Sequence, residues 1–125
     1  EAVPVRTARG VENIPAGELM EELTVRAPGQ SIGYVTDIAF TEANLEGLRS
    51  IAKGVDLLFI EAFYLDGLSD EALKKGHLTA AQAGTIARSL GAVRAIPMHV
   101  SPRCHGSMDA FYREMGIGPD GVLLP

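Results

Sequence analysis

The hydrophobic spacing along this 125-residue chain changes several times, and each change marks an element. Gln30 to Val35 is a short β-type run behind a Pro28-Gly29 turn, and it ends at Thr36-Asp37. From Thr41 the apolar positions respace: Leu45, Leu48, Ile51 and Ala52 fall on one helical face, with Thr41 placed to cap the helix and Gly54 to close it. Residues 55–62, VDLLFIEA, are apolar almost without a break over the length of a strand, which is the pattern of a parallel strand covered on both faces. Ser69 is placed to cap a short helix through Lys75, and Gly76-His77 leads into the clearest helix of the chain. There Thr79 and Gln82 stand at capping-box spacing, Ala83, Ile86, Ala87 and Leu90 form a buried stripe, and Gly91 ends the run. A third strand is expected from Val93 to Val100, and Ser107 is placed to cap a last helix that holds Ala110, Phe111 and Met115.

Strand and helix alternate three times, which predicts a layered α/β unit with right-handed parallel crossovers. Residues 1–17, with Pro4, Gly10, Pro15 and Gly17, read as an irregular lead-in, and a short helix is expected from Gly17 to Leu23. The chain begins at Glu1 without an initiator Met, so the lead-in is read as belonging to something larger.

Composition narrows the function classes. At 46% hydrophobic residues the chain has material for one real core. The formal charge of −5, with Lys and Arg scattered, leaves no basic stripe for nonspecific nucleic-acid or membrane binding, so any nucleic-acid role has to come from a local site. A single cysteine, Cys104, excludes an internal disulfide and fits a reducing, cytoplasmic compartment. No apolar run approaches the roughly 20 residues of a membrane helix.

In open α/β sheets ligands bind beyond the carboxyl ends of the strands. Asp37 follows the first strand, Glu61 lies near the end of the second, His77 starts the third helix and His99 ends the third strand. All four are therefore expected at one end of the sheet. Asp and His are ordinary zinc ligands, and Glu61 with His77 has the chemistry to move protons. A zinc site needs at least three protein ligands, and the chain has no HxH, HxxxH or CxxC to complete one. Each residue also has a plainer reading: Asp37 in an Asx-turn, His99 as a hydrogen-bonded structural histidine, His77 as a helix-start residue, Glu61 facing solvent. Arg103 suits a substrate phosphate by bidentate pairing and equally suits an exposed structural position, and Cys104 reads as a packed neighbour of the site.

Four blocks, GYVTDIAF, DLLFIEAFYLD, GHLTAAQAG and MHVSPRC, resemble in order and spacing the C-terminal half of the metallo-β-lactamase superfamily, in its ribonuclease Z-like branch, from about Glu12 to Cys104. The resemblance implies the C-terminal half of an αββα sandwich, one sheet with flanking helices. It implies that Asp37, at the (S/G)-x-(G/T)-D-T-type strand end, bridges a pair of zinc ions, and that His99, in the H-(F/L/V)-S-x-R segment, binds one of them. The HEAT- and HST-like segments, IEAF and HLT, give Glu61 and His77 a proton-transfer role. Ile60 stands where the HEAT segment has His, so a role at that position is expected to be lost. The HxHxDH segment that supplies most of the ligands is absent, and His105 has no counterpart in the motif.

The resemblance implies a zinc-dependent hydrolase, a phosphodiesterase or RNA-processing nuclease, whose substrate is RNA or another phosphodiester or small hydrolase substrate. The chain alone is expected to be inactive. The alternative is a non-catalytic half-fold that serves as a structural or dimerisation module. Because only one of two facing sheets is present, one sheet face should be bare, and a homodimer through that face is expected.

Overall fold

In the computed structural model, which describes residues 1–104, 106 and 108–125, the expected alternation is present. The chain opens with two strands, β1 (Ala2–Thr7) and β2 (Gly10–Pro15), followed by α1 (Ala16–Leu23). The α/β unit is β3 (Ile32–Val35), α2 (Glu42–Ala52), β4 (Leu57–Glu61), α3 (Ser69–Lys75), α4 (Ala80–Leu90), β5 (Arg94–Met98) and α5 (Met108–Met115). The strands are shorter than the apolar runs because the run ends lie in the connections. Ser107 and His105 lie outside the described residues.

The lead-in is not irregular. β1 and β2 form an antiparallel hairpin in register from Ala2 opposite Pro15 to Thr7 opposite Gly10. Pro4 stands opposite Asn13 without breaking the ladder, because the alternation that bonds Ala16 N to Glu1 O makes this a non-hydrogen-bonded pair, where the N–H position faces the free edge. Thr7 Oγ1 closes the turn by donating to Glu12 Oε1 at 2.7 Å. No residue of α1 is buried.

The sheet that positions the site runs β3-β4-β5, all parallel, with Val35 beside Ile60 and Ile60 beside Pro97. Strand alternation divides its residues between two faces. Val35, Leu58, Ile60 and Ala95 point under α2 and α4 and belong to the core with Leu45, Leu48, Ala83, Ile86, Ala87, Leu90, Phe111 and Met115. The opposite face carries Ile32, Tyr34, Leu57, Phe59, Ile96 and Met98. It is open at the edge strand β3, where Ile32 is 67% and Tyr34 70% exposed, whereas Leu57, Phe59, Ile96 and Met98 are half-buried. The central run is thus apolar on both faces, as its sequence suggested, while the helices cover only one.

Two helix expectations need correction. Ile51 is 81% exposed, because the buried arc of α2 is set by Leu45, Leu48 and Ala52, and Ile51 falls just outside it. Ser69 is not a cap: a 3-10 turn at Asp66–Leu68 runs directly into α3, so Ser69 is already helical. Thr41 does cap α2, accepting from Asn44 N, and Thr79 and Gln82 form the full capping box of α4. Gly91 closes α4 in the left-handed conformation, at φ 65°.

α5 crosses α4 at Gly84, where a Cβ would meet the backbone carbonyl of Met115. Gly84→Ala should therefore destabilise the chain by about 1–3 kcal/mol, the usual cost of overpacking, with little change in the slope of denaturant unfolding. Chemical denaturation of both proteins measures it.

At the amino ends of β3 and β4, Ser31 N and Ser31 Oγ donate to Asp56 Oδ2 at 2.7 and 2.8 Å. These bonds, the backbone one first, hold the Asp56 carboxyl below its ordinary value. A depressed carboxyl contributes stability above its unfolded value and loses it as pH falls through the folded one. The melting-temperature advantage of the wild type over Asp56→Asn should thus be present at neutral pH and shrink below about pH 3.9. Thermal melts of the pair across that range check it.

Candidate functional site

The parallel register brings the carboxyl ends of β3, β4 and β5 to one level, and the connections beyond them are tied together by backbone bonds. Ala62 N donates to Met98 O, Phe63 N to Leu78 O and Ser101 N to Phe63 O, each at 3.0 Å. The α3–α4 connection, which carries His77, is thereby fixed beside the strand ends. His77 N itself donates to Ala72 O at 2.9 Å, behind the left-handed Gly76 that ends α3.

Asp37, Glu61, His77 and His99 meet here, with one ligand atom from each lying within 4.8 Å of the others. Glu61 is the floor, with no solvent exposure. Its Oε2 lies 3.1 Å from His77 Nδ1 and 3.2 Å from His99 Nδ1. Asp37 Oδ1 lies above, 3.8 Å from His77 Nδ1 and 3.9 Å from His99 Nδ1. Exposure rises from floor to rim: His77 is 15%, His99 39% and Asp37 65% exposed by side chain. The solvent-facing reading of Glu61 is therefore excluded. No backbone N–H among the described residues donates to the Asp37 carboxylate; Thr36 Oγ1 does, at 3.1 Å.

Asp37 and His99 are the two non-glycine residues with positive φ among the described residues, at 53° and 52°. Left-handed backbone at two polar residues that start the connections after β3 and β5 is a strain that persists where the surroundings fix it. The surroundings are visible for Asp37: its N–H donates to Glu61 Oε2 at 3.0 Å, and that of Ile38 to Glu61 Oε1 at 3.1 Å.

The donor chemistry fits a divalent metal. Two carboxylates and two imidazoles, grouped at one strand-end edge, are donor types that zinc takes. Glu61 is the poorest candidate ligand of the four, because three backbone N–H groups already occupy its oxygens. Asp37, His77 and His99 remain, the minimum of three protein donors for one zinc.

Two residues that sequence reasoning left without a role belong to the site. Phe63 stacks on His77 at 4.1 Å and 4° and meets His99 edge-on at 4.9 Å. Thr36 Oγ1 lies 3.3 Å from His99 Nδ1. Phe63 was signalled only as the last residue of IEAF, and Thr36 as the neighbour of Asp37. Ile60 corrects an expectation: alternation turns it into the helix-covered core, fully buried, so a side chain there does not reach the site and its replacement removes no group from it.

Arg103 stands apart. Its Nη1 pairs with Glu71 Oε1 at 3.2 Å, and the side chain is 70% exposed. Glu71 also holds Lys75 at 2.9 Å, and the hydrogen bond from that ammonium keeps the Glu71 carboxyl below its ordinary value while raising Lys75. Cys104 is buried and free. No helix among the described residues is long and apolar enough to cross a membrane.

Comparison with known proteins agrees with this geometry. Residues 1–100 match the model of a beta-lactamase superfamily domain. The chain is 36% identical over 107 residues to Ribonuclease Z of Streptomyces avermitilis, covering 86% of this chain and 34% of that protein. It is 36% identical over 104 residues to Ribonuclease Z of Deinococcus radiodurans, covering 83% and 30%. The chain therefore spans about a third of the length of these relatives. Among solved structures, human tRNase Z, short form, superposes with a TM-score of 0.55 at 31% identity, over 60% of this chain and 28% of that one. The metallo-beta-lactamase fold protein YhfI from Bacillus subtilis superposes with a TM-score of 0.59 at 20% identity, over 74% and 39%, and shows the fold alone. Sheet, strand-end cluster and family match agree: the chain belongs to the metallo-β-lactamase superfamily and is similar to its ribonuclease Z branch.

Proposed function

We propose that this chain is the C-terminal part of a zinc-dependent phosphodiesterase of the ribonuclease Z type that cleaves RNA in the cytoplasm. The observation that supports it is the strand-end cluster of Asp37, Glu61, His77 and His99, with relatives named Ribonuclease Z aligned over most of the chain. A pair of zinc ions, when bound, would supply Lewis-acid stabilisation of the charge that develops on the phosphate. Asp37, the most exposed of the four, and His99 would hold the ions. His77 is the proton donor to the leaving oxygen: it lies against the Glu61 carboxylate, and the Phe63 ring packed on its face fixes its plane. Glu61 is its partner in proton transfer. Arg103, outside the cluster and paired with Glu71, contacts substrate phosphate once it exchanges Glu71 for that anion.

In the complete protein, Asp37→Ala and His99→Ala should lower bound zinc and RNA cleavage together. His77→Ala should retain the zinc and lose about 10²–10⁴ in turnover, the usual contribution of a positioned general acid. Metal analysis alongside single-turnover cleavage separates the roles; equal metal loss in all three variants would overturn this division of labour.

A second reading, a non-catalytic half-fold that dimerises, is favoured by one observation, the apolar face of Ile32, Tyr34, Leu57, Phe59, Ile96 and Met98, which the helices do not cover. The isolated chain pairs through this face as a twofold homodimer, in which a second copy covers the apolar strands, burying more than roughly 1,000 Å² in total. Tyr34→Glu should shift the isolated chain to monomer in light scattering across a dilution series. A wild-type monomer at micromolar concentration would rule the pairing out.

A further inference from the structure

The Glu61 carboxylate is wholly buried and has five polar partners. Oε1 accepts from Ile38 N and Leu78 N, each at 3.1 Å. Oε2 accepts from Asp37 N at 3.0 Å and faces the Nδ1 atoms of both His77 and His99. A carboxylate only accepts. An imidazole with its lone pair on Nδ1 would set lone pair against lone pair at 3.1–3.2 Å, at a carboxylate that has no solvent exposure of its own. The third neighbour of His99 Nδ1 agrees. The Thr36 hydroxyl donates its hydrogen to Asp37 Oδ2, which leaves its oxygen as an acceptor toward the same Nδ1.

We propose that Glu61 is a positioning residue shared by both histidines, whose one buried oxygen fixes His77 and His99 in the Nδ1–H tautomer and leaves Nε2 of each ring as its only open nitrogen. One carboxylate then sets the nitrogen at which His99 takes up a metal and the nitrogen at which His77 exchanges a proton. Outer-sphere carboxylates commonly orient a single histidine in this way. Here one oxygen serves two rings, and the same group holds the backbone that presents Asp37. The consequence for catalysis rests on the hydrolase reading above, but the tautomers do not, so each fails separately.

The test is made on the ¹⁵N-labelled chain without added metal, at a pH well above the imidazole range so that the rings are neutral. Two-bond ¹H–¹⁵N correlation spectra distinguish protonated from bare nitrogen in each ring. In the wild type both His77 and His99 should show Nδ1 protonated and Nε2 bare. Glu61→Gln is nearly isosteric. Its oxygen should take the Oε1 position, because the amide there would face the two donors of Ile38 and Leu78, whereas at Oε2 it opposes only Asp37 N. The amide then donates to the rings, and both should move their proton to Nε2, exchanging the two nitrogen shifts. A purely structural Glu61 leaves the tautomers unchanged in the variant. Nε2–H at either ring in the wild type overturns the proposal, whether or not the variant folds. So does an unchanged pattern in a folded Glu61→Gln protein, or a change confined to one ring.

Discussion

A carboxylate removed from water costs several kcal/mol unless donors replace its solvation. Glu61, at the end of the central strand, receives that replacement from three separate connections: Asp37 and Ile38 after β3, Leu78 before α4, and His99 after β5. Removing any of these partners would weaken that replacement, so the group that would be most costly to bury alone is also what holds the loops in place. The left-handed backbone at Asp37 follows from the same contact, since its N–H has to turn back toward β4.

The sheet makes this convergence possible. Parallel strands in register end at one level, and helices on one face leave the strand ends free to carry polar residues. The uncovered face and the open rim of the cluster are two aspects of the same geometry. The aligned part of this chain covers about a third of each of these relatives.

Strong local codes were legible in the sequence. The capping box of α4, its buried stripe and the glycine that ends it depend on residues a few positions apart and appear as read. The hairpin of β1 and β2 was hidden because Pro and Gly normally interrupt strands, and only pairing between two free edges shows that Pro4 is tolerated. Ile51 and Ser69 were misread because a helix's burial arc depends on what packs against it, and its start on what runs into it.

For the site, the order of motifs along the chain determined which residues are chemical candidates and that they lie at strand ends, because strand direction and crossover connections follow from local pattern. The sequence could not determine that Glu61 is a buried floor instead of a solvent-facing acid, or that Ile60 turns away from the site. That depends on which sheet face the helices cover. Nor could it show the stacking of Phe63 on His77 or the place of Thr36 beside His99, which are contacts between residues 14 and 63 positions apart. Distances of that kind are set when three loops close around one carboxylate, and only the tertiary structure decides how they close.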